Sequence, residues 1–212
     1  MPGPVWTIVV AAGSGSRFGG PKQFASLGDR RVIDWACEHV SRVSDGVVLV
    51  VPPENVGANT VAGGSTRAES VRRGLAAVPA DADIVVVHDA ARPFAGADLF
   101  HAVIAAVRAG ADGAVPAVPV ADTIKEVDAG GIVVATPDRA RLVAVQTPQA
   151  FRAEILRRAH AGGAEGTDDA ALVEAIGARV VTVPGDPANR KITEPDDLEW
   201  ARRRVTDGTP RP

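Results

Sequence analysis

Gly13, Gly15, Arg17 and Lys22 crowd into one short stretch, Ala11 to Phe24, which reads Ala-Ala-Gly-Ser-Gly-Ser-Arg-Phe-Gly-Gly-Pro-Lys-Gln-Phe. Glycine lets main-chain N–H groups approach an anion with no Cβ in the way, and two cations add charge. The chemistry on offer is phosphate binding, polyphosphate above all. A Walker A loop needs Gly-x-x-x-x-Gly-Lys followed by Ser or Thr, but Pro21 precedes Lys22 and Gln23 follows it, which excludes that loop. The dinucleotide fingerprint fails too: Phe18 holds the third glycine position, and Glu54 lies about twice as far on as the usual ~20 residues. On spacing alone, a Gly/Ser surface loop with solvated charges stays open.

Such a loop needs a strand before it. Trp6 to Val10 is a short apolar, β-branched run that reads as a buried strand. Val32 to Val43 has apolar residues at helical spacing (Ile33, Ala36, Cys37, Val40) and predicts a helix. Val47 to Val51 reads as a strand stopped by Pro52-Pro53, and Thr60 to Ala62 as a short third one. A helix follows through Val78, with Thr66 as N-cap and Glu69 completing a capping box. Ile84 to Val87 is the next strand, ending in His88-Asp89-Ala90-Ala91-Arg92-Pro93. Asp98 to Ala109 reads as a helix, and Gly113 to Val118 as a strand broken by Pro116 and Pro119.

From Ala121 to Arg141 the pattern changes. Thr123 to Val127 and Gly131 to Thr136 are β-prone runs around Asp128-Ala129-Gly130-Gly131, a hairpin signal, and a lone hairpin must pack on something. Gly166-Thr167-Asp168-Asp169 precedes a helix over Ala170 to Ile176, so Thr167 and the acidic pair also make sense as plain capping. Arg179 to Val183 is the last clear strand, and Glu194 opens the final helix. The fold class is α/β: a single-domain, Rossmann-like, mostly parallel sheet with helices on both faces, over residues 1–205. A hairpin arm projects at about 121–141, and 206–212 reads as a flexible tail.

The chain has 212 residues and a net charge of −3, which gives no basic footprint for nucleic acid. No apolar run approaches the ~20 residues of a membrane span, and no N-terminal stretch reads as a signal peptide. The solitary Cys37 fits a reducing compartment, and its apolar helix pattern favours a buried thiol over a nucleophile. The expected location is cytoplasmic. Arginine supplies nearly all the positive charge; the only lysines are Lys22, Lys125 and Lys191.

Ala-Ala-Gly-x-Gly-x-Arg followed by Pro21-Lys22-Gln23 resembles the signature of the nucleotidyltransferases that join a sugar or polyol phosphate to a nucleoside triphosphate. The resemblance implies that Ala12, Gly13, Gly15, Arg17 and Lys22 hold the triphosphate, with the two cations stabilising charge at the α-phosphate. Ligands of open α/β sheets lie beyond the carboxyl ends of the strands. Asp89 at that edge, facing a triphosphate, is a natural Mg²⁺ ligand, and a helix cap or a partner for Arg92 is its plain alternative.

His88-Asp89-Ala90-Ala91-Arg92-Pro93 is also a motif of the methylerythritol phosphate cytidylyltransferases, and narrows the superfamily to that family. His88 itself reads as structural. The family's Gly-Gly-x-x-Arg segment implies that Gly63, Gly64, Ser65, Arg67 and Ser70 line the nucleotide and that main-chain groups read cytosine. Many members are acidic where this chain has Ser65-Thr66. The hairpin is implied to be an arm clasping a second subunit of a homodimer, with Arg139 behind it; a solvated loop arginine is the alternative. Gln146-Thr147-Pro148-Gln149-Ala150-Phe151 resembles a further motif, placed at the start of a helix. Lys191-Ile192-Thr193 with Pro195 and Asp197-Leu198 resembles the last one, whose lysine binds the polyol phosphate. Where many members have an aspartate before Asn189 this chain has Ala188, and nearby Asp186 is not taken as a metal ligand in its place.

The resemblance thus implies catalytic roles for Arg17, Lys22, Arg139 and Lys191, and polyol phosphate contacts from Thr123, Arg139, Thr147, Thr167 and Lys191. The implied reaction joins CTP and 2-C-methyl-D-erythritol 4-phosphate, with Mg²⁺ as cofactor. A ribitol 5-phosphate cytidylyltransferase and an inactive nucleotide-binding regulator stand as alternatives.

Overall fold

The computed structural model describes residues 3–207. The first strand, β1 (Val5–Val10), leads through the glycine loop to a small ladder of β2 (Ser26–Leu27) and β3 (Arg30–Arg31). Then come α1 (Val32–Ala36), α2 (Val40–Val43), β4 (Gly46–Val51), β5 (Thr60–Ala62), α3 (Arg67–Ala77) and β6 (Ile84–Asp89). The chain continues with α4 (Ala97–Arg108), β7 (Gly113–Pro119), β8 (Glu126–Val127), β9 (Val133–Ala135), β10 (Val143–Val145) and β11 (Gln149–Arg152). It ends with α5 (Ala153–His160), α6 (Asp169–Ala175), β12 (Val180–Pro184) and α7 (Pro195–Thr206).

The main sheet runs β10-β7-β11-β6-β1-β4-β5, with β12 on the other edge of β7. Pairings of β1 with β4 and β6, of β4 with β5, and of β7 with β12 are parallel; β10 and β11 run antiparallel. Side chains alternate across the pleat. Val85 and Val87 enter one core layer with Ile8, Val71, Leu75 and Leu156, under α3 and α5. Ile84 and Val86 enter the other with Val9, Phe100, Val103 and Val107, under α4. Burying each of these larger side chains contributes roughly 1.5–3 kcal/mol, enough to fix the register of the sheet and hence where its ends lie. A smaller cluster of Leu27, Trp35, Phe94, Ile192 and Leu198 ties α7 and the Lys191 segment back to the first third of the chain.

The fold class read from sequence holds, with corrections in detail. The single helix expected over Val32 to Val43 is two, α1 and α2, separated by a turn at 37–39. Trp35 donates its indole N–H to the Leu27 carbonyl at 2.8 Å and carries the Arg30 guanidinium over its ring, which ties α1 to the β2–β3 ladder. The last turn tightens where Glu38 N–H donates to Trp35 O at 3.1 Å. Pro116 does not break β7. On its edge the strand passes from β11, paired at Gly113–Ala114, to β10, paired from Ala117 onward, and the missing proline N–H falls in that gap. The Pro116 carbonyl there accepts from the Gln146 N–H at 2.8 Å.

Gln149 to Phe151 does not start a helix. It lies in the buried central strand β11, and α5 follows directly. The hairpin is present as β8 and β9, shorter than expected, with Thr123 before it. The Asp128 carboxylate closes its turn by accepting from Gly130 N–H and Ile132 N–H, each at 2.9 Å. Residues 121–134 are exposed throughout, so the arm projects. Of the expected tail, Thr206 still ends α7, and 208–212 lie outside the described residues.

Candidate active site

The glycine loop begins where β1 ends. Ala11 N–H donates to Val50 on one neighbouring strand, and Ala90 N–H donates to Val10. Phe18, Gly19 and Gly20 then turn their N–H groups onto the Gly15 carbonyl at 2.8, 3.0 and 3.2 Å. Gly15 is left-handed (φ +66°), and a Cβ there would collide with the Gly20 carbonyl oxygen. Gln23, buried behind the loop, holds its back: its side-chain amide donates to Ala11 O at 2.7 Å and Gly13 O at 3.1 Å. Sequence reasoning quoted Gln23 only as part of a motif and gave it no task. Its amide keeps the loop open, and Gly13 to Ser16 N–H groups meet no acceptor among the described residues.

A cleft of about 410 Å³ opens over this loop, lined by Ala12, Gly13, Gly15, Arg17, Lys22, Gly64, Ser65, Arg67, Ser70, Asp89 and Lys191, among others. Burial lowers the Lys22 pKa, and the like charges of Lys191 and Arg17 lower it further. Cations gathered at such electrostatic cost mark an anion site.

The far wall is the turn into α3. Thr66 caps the helix by accepting from Glu69 N–H at 3.0 Å, but Glu69 does not return the bond to Thr66 as a capping box requires. Its carboxylate accepts instead from the Ser65 N–H and hydroxyl, both at 2.7 Å. Ser70 accepts from Gly64 N–H at 3.0 Å and donates to Thr66 O at 2.9 Å. Gly63 is packed too tightly against Ala12 to admit a Cβ. Its N–H goes to Val51 O and its carbonyl to Arg73, so it supports the cleft and does not line it. Of the two glycines, Gly64 lines the cleft.

Asp89 ends β6 and is the hinge of the site. Arg67 Nε donates to its Oδ1 at 3.2 Å and Lys191 Nζ to its Oδ2 at 2.6 Å. The alternative partner expected from sequence, Arg92, touches it only through the main chain, Arg92 N–H to Asp89 O at 3.0 Å. Burial works against the Asp89 charge, but the Arg67 guanidinium and the Lys191 ammonium outweigh it and hold the carboxyl far below the usual carboxylate range. Asp89 N–H donates to Thr147 Oγ1 at 3.0 Å, and that hydroxyl lies 3.1 Å from His88 Nδ1. Burial pushes the His88 imidazole down to about 4, so the buried ring stays neutral beside the Thr147 hydroxyl. His88 is structural, as its sequence position suggested.

A second compartment of about 230 Å³ adjoins the first and shares Arg67, Asp89 and Lys191 with it; Arg92, Val145, Gln146, Thr147, Gln149, Thr167 and Asp168 complete its lining. Thr167 stands exposed at its edge, and Asp168, not Thr167, caps α6 by accepting from Ala171 N–H at 2.9 Å. The other Asp168 oxygen accepts from the Gln149 amide at 2.8 Å. Arg92 donates to Asn189 O at 2.8 Å while its buried Nε meets no partner. Sequence reasoning assigns Arg92, Gln146, Gln149 and Asp168 no site role, although Arg92, Gln146 and Gln149 stand within family motifs and Asp168 within the acidic pair before α6.

Arg139 and Thr123 lie apart from both compartments. Arg139 is exposed beyond the arm and donates to Ala121 O at 2.8 Å, and Thr123 is exposed within the arm. Asp186 is spent on its own turn, accepting from Ala188 N–H at 2.7 Å, and lines neither compartment.

The whole described fold has known counterparts. The family model described as 2-C-methyl-D-erythritol 4-phosphate cytidylyltransferase matches residues 5–207. Proteins of that name from Rhodococcus jostii and Rhodococcus opacus are 47% and 48% identical to this chain, each over 97% of both sequences. The crystal structure of 4-diphosphocytidyl-2C-methyl-D-erythritol synthase from Anaerococcus prevotii superposes with a TM-score of 0.82 at 31% identity, over 96% of this chain and 99% of that one. The 2-C-methyl-D-erythritol 4-phosphate cytidylyltransferase of Thermus thermophilus gives 0.79 at 34% identity, over 94% and 98%. Likeness of this extent reaches from β1 to α7, and the chain belongs to the 2-C-methyl-D-erythritol 4-phosphate cytidylyltransferase family.

Proposed function

We propose that this chain transfers a cytidylyl group from CTP to 2-C-methyl-D-erythritol 4-phosphate, in the non-mevalonate route to isoprenoids. The observation that carries this reading is the pair of adjoining compartments that share Asp89, Arg67 and Lys191. Two anionic substrates repel, and a common set of cations offsets that repulsion where they meet. The substrate's phosphate oxygen attacks the α-phosphorus of CTP; the bond to the β-phosphate oxygen breaks, and pyrophosphate leaves. The attacking phosphate is already ionised at neutral pH, so no general base is required. Catalysis is positioning plus charge stabilisation. Arg17, Lys22 and the open loop amides take the triphosphate, and Lys191 with Arg92 takes the second phosphate.

Asp89 fits a Mg²⁺ ligand. Each of its oxygens carries one donor, which leaves acceptor capacity on a carboxylate with about four lone-pair sites. Mg²⁺ takes one or two carboxylates and fills the rest of its shell with phosphate oxygens and water, and Asp89 would supply one such carboxylate at the edge of the cleft. Bound there, Mg²⁺ supplies charge neutralisation at the triphosphate.

The active form is a homodimer joined through the arm. Val127, Ile132, Val133 and Val134 are each more than half exposed on it, a continuous apolar stretch that a second copy would cover. Thr123 and Arg139 then serve the partner's second compartment. The enzyme works in the cytoplasm, a reducing compartment in which Cys37 stays a thiol; no helix among the described residues is long and apolar enough to cross a membrane.

Pyrophosphate release tests the reading. CTP should be turned over with 2-C-methyl-D-erythritol 4-phosphate and far less with ribitol 5-phosphate. Main-chain reading of the base beside Gly64, which lines the cleft, would leave a group unpaired where uracil replaces cytosine's amino group by a carbonyl, so UTP should fall behind by about 10-fold or more. Equal kcat/KM for CTP and UTP, or turnover of ribitol 5-phosphate alone, would overturn it.

A further inference from the structure

Arg67 is anchored at two points of its guanidinium and left open at the third. Its Nε donates to Asp89 Oδ1 at 3.2 Å, and its Nη1 donates to Asp169 Oδ2 at 2.7 Å. Its Nη2 is buried and meets no partner. Buried N–H groups without an acceptor are rare, and one at a residue lining both compartments calls for a ligand atom. Two fixed points on a planar fork also fix the direction of the third.

Asp169 is the less expected anchor. It opens α6, is wholly buried, and lines neither compartment. Its second oxygen, Oδ1, accepts from His160 Nε2 at 2.9 Å, and His160 is buried at the end of α5. A chain of contacts therefore runs from α5 through α6 to the cleft: His160, Asp169, Arg67, Asp89, Lys191.

The geometry points to Asp169, steadied by His160, as the positioning residue that sets Arg67 across the junction of the two compartments. Arg67 is thereby held at that junction, where a bound phosphate oxygen is the acceptor that Nη2 lacks among the described residues. This rests on the reaction proposed above. Without the Asp169 charge, Arg67 keeps one anchor, Asp89, and its fork is free to pivot about it.

The test is a mutant cycle on the full-length protein with Arg67→Gln, Asp169→Asn and the double variant, measuring kcat and both KM values beside thermal melting. Asp169→Asn should lower kcat/KM by about 10- to 100-fold, the range for losing an outer-shell partner. The double variant should be no worse than Arg67→Gln alone. A kcat/KM at the wild-type level for Asp169→Asn, or a double loss equal to the product of the single losses, would overturn the proposal. Should Asp169→Asn fail to fold, His160 decides. His160→Gln offers an amide N–H near the place of Nε2 and should keep more activity than His160→Leu, whereas equal activity of the two would reject the network. The same cycle read as the Kd of inorganic pyrophosphate needs no turnover, so failure of the network and failure of the reaction are told apart.

Discussion

Lys191 holds its ammonium 2.6 Å from Asp89 Oδ2 across 102 positions of sequence, and through that contact the last motif of the chain reaches the middle one. With Arg67 on the other oxygen, one carboxylate spaces two cations that would otherwise repel. Replacing it by Asp89→Asn should lower kcat by on the order of 10² or more and blunt its dependence on Mg²⁺ concentration. A kcat near wild type with an unchanged Mg²⁺ titration would contradict this. The carboxyl is depressed in the folded state, so its stabilising contribution is present above the ordinary value near 4 and is lost only as pH falls through the lower folded value. Between about pH 5 and 8, Asp89 should contribute no slope to stability.

Lys22 is the loop's half-buried cation, held against the like charges of Lys191 and Arg17. Lys22→Ala should leave the fold intact, because the loop is anchored by Gln23 and the Gly15 carbonyl and not by this side chain. Turnover should drop by about 10²–10³ at saturating CTP. Near-normal turnover with an unchanged circular dichroism spectrum would remove Lys22 from the chemistry.

Arg139 lies outside both compartments of its own chain, just beyond an arm whose Val127, Ile132, Val133 and Val134 are exposed. If the arm crosses a twofold axis, Lys22→Ala and Arg139→Ala chains refolded together in equal amounts complement one another. About half the dimers are mixed and each carries one intact site, so activity should return to about a quarter of wild type. No return, with subunit exchange verified by mass, would place Arg139 outside the partner's site.

How far the sequence shows all this depends on whether a feature is local. The glycine loop, β6 with Asp89 at its end, and the arm turn at Asp128 each announce themselves in a few consecutive residues. Strand β11 does not: Gln149 and Ala150 have little strand propensity, and only neighbours on both edges make them one. Gly63 and Gly64 look alike in sequence, yet close packing on Ala12 makes one a support and leaves the other on the cleft. Asp168 and Asp169 look like ordinary helix capping, and their partners Gln149, Arg67 and His160 come from distant segments that only the fold assembles.

Cys37 follows α1, and burial pushes its thiol up to about 11. At pH 8 about one molecule in 10³ would carry the thiolate, so a disulfide reagent should react on the order of 10²-fold more slowly with native protein than with unfolded chain. Native and unfolded rates within a few-fold of each other would mean that the thiol is not held this way.

Isotope tracing tests the reaction most directly. The erythritol phosphate, labelled with ¹⁸O in its non-bridging phosphate oxygens, is turned over with unlabelled CTP in ordinary water, and both products are weighed by mass spectrometry. Attack by that phosphate on the α-phosphorus puts every labelled oxygen into the CDP-linked product and none into pyrophosphate. Label in the pyrophosphate, or release of unlabelled CMP with no CDP-linked product, would contradict the assigned reaction.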